Sequence, residues 1–179
     1  MSKEQVYEYK LLIPKERVGV LVGEKGKTKR LIERLTGTKL KIDEEEVTIK
    51  GVDSFNAWAC QNVIKAIGRG FNPKDAIKLV KEGFVLEVID VMDYARNQKD
   101  KYRLRGRVIG EDGKTRRHLE NATQTKIIVF GKTIGIIGKE NDVRDALEAV
   151  KIILQGSHIK TAYKFLEKKA KSRLKKELI

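Results

Sequence analysis

A glycine-spaced octapeptide occurs twice in this chain and limits what it can fold into. Gly23-Glu24-Lys25-Gly26-Lys27-Thr28-Lys29-Arg30 returns 87 residues later as Gly110-Glu111-Asp112-Gly113-Lys114-Thr115-Arg116-Arg117. An apolar run precedes each copy, Val20-Leu21-Val22 in the first and Val108-Ile109 in the second. The pattern predicts a helix that stops at the first glycine, a tight loop, and a new helix after the second glycine. Glycine tolerates positive φ and lets another backbone approach closely. The free N–H groups of a helix start, with cations beside them, suit a phosphate.

Two familiar phosphate loops fail here. A P-loop needs a glycine five positions before the glycine of Gly-Lys-Thr. Leu21 and Val108 stand there. They also occupy the position where a Gly-x-Gly-x-x-Gly fingerprint needs its first glycine. What remains is Gly-x-x-Gly between two helices. It resembles the signature loop of the KH module, which clamps a single-stranded nucleic-acid backbone.

The repetition extends beyond the loop. Val6 to Ile13 reads as a strand ended by Pro14, and Lys15 to Val22 as a short helix with Val18, Leu21 and Val22 inward. Lys27 to Leu35 is the next helix, with Leu31, Ile32 and Leu35 as its apolar face, and Gly37 stops it. Two strands follow, carrying Leu40 and Ile42, then Val47 and Ile49, around a turn at Asp43-Glu44-Glu45. Asp53 or Ser54 caps a last helix carrying Phe55, Ala59, Val63, Ile64 and Ile67. Core packing is the expected role of Phe55 and Trp58, with an exposed partner anchor as the alternative.

A joint at Gly68–Pro73 and a linker helix from Asp75 to Lys81 lead past Gly83 into a second unit. Its first strand spans Phe84 to Val91. Met92 to Asp100 is an insertion or a longer first helix. From residue 107 the match resumes. Glu120, Thr123, Thr125 and Lys126 repeat Glu33, Thr36, Thr38 and Lys39, and Ile134, Ile136 and Gly138 repeat Val47, Ile49 and Gly51. Leu147, Val150 and Leu154 align with Cys60, Val63 and Ile67 at the same spacing. Such whole-unit correspondence marks an internal repeat. The expected fold is α+β: two tandem type I KH domains, 1–82 and 83–179, each ordered strand-helix-helix-strand-strand-helix. Each has a three-stranded antiparallel sheet covered by helices. His158 to Ile179 adds a basic helix with Lys160, Lys164, Lys168, Lys169, Lys171, Arg173, Lys175 and Lys176, which packs against the domain or adds phosphate contacts.

The formal net charge is +14, which favours a polyanionic partner. One cysteine, Cys60, excludes an internal disulfide and a cysteine-based zinc site. Met1-Ser2-Lys3-Glu4 lacks the apolar run of a signal peptide, and no stretch has the length of a membrane span. A cytoplasmic protein without membrane contact or cofactor is expected. Asp43-Glu44-Glu45-Glu46 reads as a solvated turn rather than a metal site, and His118 and His158 have no evident catalytic partners. No catalytic or metal residue is assigned. His118 faces RNA or solvent.

In a KH module the glycine loop forms one side of a groove about four nucleotides long, and the second strand of the unit forms the other. Phosphates then go to Gly23, Glu24, Lys25, Gly26 and Lys27, and to Gly110, Glu111, Asp112, Gly113, Lys114 and Thr115. Bases lie on Val22, Leu40 and Ile42 in one unit, and on Ile109, Ile127 and Val129 in the other. Lys29, Arg30, Arg105, Arg107, Arg116 and Arg117 add cations. Glu111 and Asp112 place two carboxylates where phosphate should pass, so this loop is compensated by the arginines or faces a protein.

A more specific resemblance lies in the linker and second unit. Gly70-Phe71 with Asp75-Ala76, Phe84 with Glu87 and Asp90-Val91, Gly106 through Gly110, Gly113-Lys114-Thr115 and Glu120-Asn121-Ala122-Thr123 carry it. With these stretches the chain resembles the archaeal relatives of the partner-of-Nob and Krr group, tandem-KH factors of small-ribosomal-subunit assembly. The resemblance implies binding to single-stranded ribosomal RNA near the 3′ end of the small-subunit RNA. It also implies contact with the endonuclease that matures that end, and no catalysis; a translation or assembly factor bound to one KH unit is a separate, protein-interaction reading. The other binding readings are a general KH adaptor for mRNA, an RNA-degrading complex or single-stranded DNA, and a scaffold with one unit bound to a protein factor.

Overall fold

The computed structural model describes residues 6–177, with side chains to residue 175. The N-terminal stretch Met1–Glu4, the Lys176 side chain and Ile179 lie outside the described residues. The chain divides into two compact units, Met1–Phe84 and Val85–Ile179.

In the first unit, β1 (Tyr7–Leu12) leads into α1 (Lys15–Val22), the glycine loop, α2 (Lys27–Thr36), β2 (Lys39–Asp43), β3 (Glu46–Gly51) and α3 (Ser54–Gly68). Local chemistry sets these boundaries. Gly37 closes α2 at φ 61°, and the Asp53 carboxylate accepts the Asn56 N–H at 2.7 Å to start α3. The sheet order is β1-β3-β2, with Leu40 opposite Ile49 and Ile42 opposite Val47. β2 is therefore an edge strand. Thr36 and Thr38 share a buried hydroxyl bond of 2.8 Å at the turn from α2 into β2, and Thr123 and Thr125 repeat it at 2.8 Å. This explains why both pairs recur.

A short helix α4 (Pro73–Ala76) and a 3-10 turn (Ile77–Val80) form the linker. The second unit then repeats the order as β4 (Phe84–Asp90), α5 (Gln98–Ile109), α6 (Lys114–Thr123), β5 (Lys126–Phe130), β6 (Thr133–Lys139) and α7 (Glu140–Leu154), with sheet order β4-β6-β5. The segment at 92–100 is both an insertion and a helix extension. A 3-10 turn at Val91–Asp93 precedes α5, which has 12 residues against 8 in α1.

The register of the repeat slips at the last helix. α3 starts three residues after Gly51, but α7 starts two after Gly138. The offset becomes 86, as the helix ends confirm. Arg69, Gly70 and Phe71 N–H groups bond Lys65, Ile67 and Ala66 carbonyls, while those of Gln155, Gly156 and Ser157 bond Lys151, Ile153 and Ile152. Ala146, Ala149 and Ile153 therefore take the places of Cys60, Val63 and Ile67, rather than Leu147, Val150 and Leu154. A shorter turn shifts an apolar helix by one residue without emptying the core. Cys60 is buried, and burial pushes its thiol pKa up.

Three apolar residues expected inside are not. Phe55 is 56%, Trp58 48% and Leu35 43% exposed. Ile32, Ala57, Ala59, Cys60, Val63 and Ile64 already fill the interior faces of α2 and α3, which leaves these three on the outer rim.

The basic C-terminal helix α8 (Ile159–Glu177) is a packing element of the second unit. Ala162 and Leu166 enter its core, and the Tyr163 ring lies 3.7 Å from that of His118. His118 is exposed, as the sequence suggests, with one face of its ring against Tyr163. Arg173 donates to Asp142 Oδ1 at 2.5 Å, Asp145 Oδ2 at 2.6 Å and the Asn141 carbonyl at 3.1 Å. The Asp142 bond, with the neighbouring carboxylates, raises the Arg173 pKa. Arg173→Ala should lower stability by about 1 kcal/mol, discounted for its partial exposure, and speed amide exchange in the last turns of α8. Unchanged exchange there would refute the clamp.

Candidate nucleic-acid interface

The two glycine loops share one backbone path. Gly23 and Gly110 have φ 72° and 76° with ψ near 173° and 171°, while Gly26 and Gly113 lie in the left-handed region at φ 75°. Lys25 and Asp112 also sit at positive φ, 50° and 49°. The two glycines in each copy have different jobs. A Cβ on Gly23 would stand 2.2 Å from Thr28 Oγ1, and one on Gly110 2.3 Å from Thr115 Oγ1 and 2.6 Å from the Thr115 nitrogen. The first glycine thus allows the new helix to begin against the loop. Thr115 is buried, so it supports the loop rather than lining the groove. At the second glycine only arginine tips are near: a Cβ on Gly26 would stand 2.9 Å from Arg30 Nη1, and one on Gly113 3.4 Å from Arg117 Nη1 and 3.8 Å from Arg116 Nη2. Arg30 and Arg117 lean over their loops. Lys25 and Lys27 are exposed, the latter 3.9 Å from Glu24; Lys29 is half-buried. Glu111, Asp112 and Lys114 are exposed.

The floor is narrower than the sequence suggests. Leu40 is 5% and Ile127 2% exposed, so both belong to the core. Val22 with Ile42, and Ile109 with Val129, are half-buried and remain available. The difference comes from two carboxylates. Glu33 accepts the Leu40 N–H and Glu120 the Ile127 N–H, each at 2.8 Å. These bonds tie the middle of α2 and α6 over the first half of the edge strand and cover the residue there. They also fix the strand's facing. Leu40 bonds away from β3, so the pleat turns the N–H and C=O of Ile42 the same way, and those of Val129 likewise. The groove edge therefore offers backbone donors and acceptors as well as aliphatic side chains. The recurrence of Glu33 at Glu120 was visible in the sequence; the bonds were not. Glu120→Ala leaves the buried Ile127 N–H unpaired and should lower stability by about 2 kcal/mol in denaturant titrations, with Glu120→Gln much milder. Equal losses would disprove that account.

The arginines divide between structure and surface. Arg107 donates to the Ile153 carbonyl at 2.7 Å and also to that of Ser157, which commits it to the C-terminus of α7. Arg17 makes the same clamp in the first unit, to Ile67 at 2.7 Å and Phe71 at 2.6 Å. Burial lowers its pKa. The two arginines are not at equivalent repeat positions, which hides the shared role from an alignment. Arg116 donates to Glu120 at 3.3 Å and to the Ile127 carbonyl at 3.4 Å, at the groove edge. The Arg105 guanidinium lies 5.8 Å from the Tyr102 ring centre, with its Nε buried and unpaired among the described residues. No group of three or more His, Cys, Asp or Glu among the described residues is placed to hold a metal ion.

Residues 8–66 match the KH domain family, and residues 85–171 match the family described as the eukaryotic type KH domain, KH-domain type I. The chain is 49% identical over 164 residues to the KH domain-containing protein MJ0443 of Methanocaldococcus jannaschii, covering 88% of this chain and 72% of that protein. It is 34% identical over 121 residues to the pre-rRNA-processing protein PNO1 of Debaryomyces hansenii, covering 66% of this chain and 48% of that one. It thus spans about half the length of that eukaryotic relative. Among solved structures it resembles Dim2p of Pyrococcus horikoshii, with 38% identity and a TM-score of 0.84 over 90% of this chain and 99% of the other. A chain in the crystal structure of an a/eIF2alpha–aDim2p–rRNA complex from the same organism gives 37% identity and a TM-score of 0.88, over 93% and 96%. Two type I KH units joined by a short linker helix, on a chain this similar to archaeal and eukaryotic proteins of the same build, place it: the chain belongs to the archaeal tandem-KH family related to PNO1 and Dim2.

Proposed function

We propose that this protein binds single-stranded ribosomal RNA without catalysing a reaction, near the 3′ end of the small-subunit RNA during ribosome biogenesis. The observation that carries the reading is the pairing, in each unit, of a Gly-x-x-Gly loop at a helix start with an open strand edge and a half-buried aliphatic floor. Loop N–H groups and nearby lysines hold phosphates. Bases rest on Val22 and Ile42, or on Ile109 and Val129, with the outward backbone of Ile42 or Val129 meeting their edges. The related Dim2p crystallised with rRNA supports an RNA partner. That complex also holds a/eIF2alpha, which supports a translation factor as a second partner beside the maturing endonuclease. The site of action is the cytoplasm. No helix among the described residues is long and apolar enough to cross a membrane.

The first unit is the stronger RNA clamp, because Lys25 stands at the left-handed loop position where the second unit has Asp112. The test is binding of labelled single-stranded RNA from the small-subunit 3′ end, against scrambled RNA, duplex RNA and DNA, over a salt series. Tight, sequence-dependent binding supports the proposal; equal, weak and salt-labile binding to all four defeats it. In the same assay Asp112→Lys should raise affinity about tenfold at low salt, since it replaces a repelling charge by an attracting one. No gain would favour a second unit whose loop faces a protein.

A further inference from the structure

The linker and the C-terminal helix are counterparts in the two units. α4 begins at Pro73 and α8 at Ile159, the same offset of 86 as the preceding helices, and Ala76 and Ala162 are both buried. The helices differ in length. The linker's helical path stops at Val80, whereas α8 continues to Glu177. In the second unit this continuation covers a face of α6 and α7. Lys169 and Arg173 line one cleft with Ala122, Thr123 and Asp145, and the Arg173 bonds to Asp142 and Asp145 close it.

The first unit has the same face without the covering turns. Leu35 stands in place of Ala122, Asn56 in place of Asp142, and Ala59 in place of Asp145. The carboxylates that would hold an Arg173 are gone. Ala59 is buried, but Leu35 remains exposed, and on α3 Phe55 and Trp58 form an exposed aromatic pair with ring centres 6.2 Å apart, at the positions of Asn141 and Arg144, which line a cleft with Lys169 and Arg173 in the second unit. Exposed Arg34 adjoins Leu35 on α2.

We propose that this α2/α3 face of the first unit binds an amphipathic helix of a partner protein, two to three turns long, which continues where the linker helix stops. Its anchors are apolar residues that cover Leu35, Phe55 and Trp58, and it carries a carboxylate toward Arg34. The exchange of Asp142 and Asp145 for Asn56 and Ala59 selects this occupant. A basic helix like the end of α8 meets neither of its two carboxylate partners here, and the Asp53 carboxylate is bound to the Asn56 N–H, whereas an apolar face meets three uncovered side chains and a cation. Groove recognition of an amphipathic helix uses this arrangement of anchors.

Trp58 is the only tryptophan in the chain, so its emission reports on this face directly. The probe is a synthetic peptide of residues 159–177 with Lys169→Leu and Arg173→Leu, titrated into the full-length protein. The expected result is a blue shift of Trp58 emission with a Kd of about 10–100 µM. Leu35→Asp should weaken it about tenfold while leaving the fold, read by circular dichroism, and RNA affinity unchanged. The unmodified 159–177 peptide should bind more weakly. No shift at about 1 mM modified peptide overturns the proposal. So does quenching of Trp58 by single-stranded RNA together with an RNA affinity that Trp58→Phe preserves and Trp58→Ala lowers about tenfold, which would make the pair a base-stacking platform. A concentration-dependent dimer lost in Leu35→Asp would assign the face to a second copy and also overturn it. RNA affinity is read separately, so loss of the RNA reading would leave this outcome intact.

Discussion

Gly110→Ala should destabilise the second unit by on the order of 3–4 kcal/mol, and Gly113→Ala by only about 1 kcal/mol. The two glycines are three residues apart in one loop, and sequence alone treats them as a pair. Gly110 combines φ 76° with ψ 171°, a region nearly closed to other residues, and its Cβ would meet the Thr115 nitrogen at 2.6 Å. That backbone atom starts α6 and has nowhere to retreat. Gly113 needs only a left-handed backbone, and its added methyl meets nothing closer than an arginine tip at 3.4 Å. The first unit should show the same order for Gly23→Ala and Gly26→Ala. Denaturant titration followed by amide exchange in α6 measures the difference. Equal losses at both glycines would show that the close approach to threonine does not decide the loop.

Reversing Lys25 and Lys27 together to aspartate should weaken RNA binding about 100-fold at low salt. Both side chains are exposed at the loop, and neither supports the core. The change removes two attracting charges and adds two repelling ones. It should also flatten the slope of log K against log salt by about 1.4, from roughly 0.7 for each phosphate that is no longer neutralised. The flattened slope separates weaker phosphate neutralisation from a general failure to fold, which a thermal melt of the variant checks independently. If affinity falls and the slope stays the same, the lysines act on something other than phosphate, and the loop reading fails in the first unit.

The parts legible in the sequence are those set within a few residues. A glycine at a helix end, a carboxylate three residues before an amide, and alternation of apolar side chains act over one turn or one strand. The Gly-x-x-Gly loops, the strand and helix order and the recurrence of the threonine pairs were therefore readable, and the repeat gave each two chances to be seen. Tertiary structure decided what depends on distant contacts. Arg107 looked like a groove cation because only the end of α7, 46 residues away, reveals its partner. Leu40 and Ile127 looked like floor because the carboxylates that pull helices over them lie seven residues back on another element. Phe55 and Trp58 looked like core because a helical stripe does not show how many faces the domain can cover. In the second unit the distal turns of α8 cover a face that the short linker helix leaves open in the first. Which residues face out was set by the length of a packing helix, a fact with no local signature.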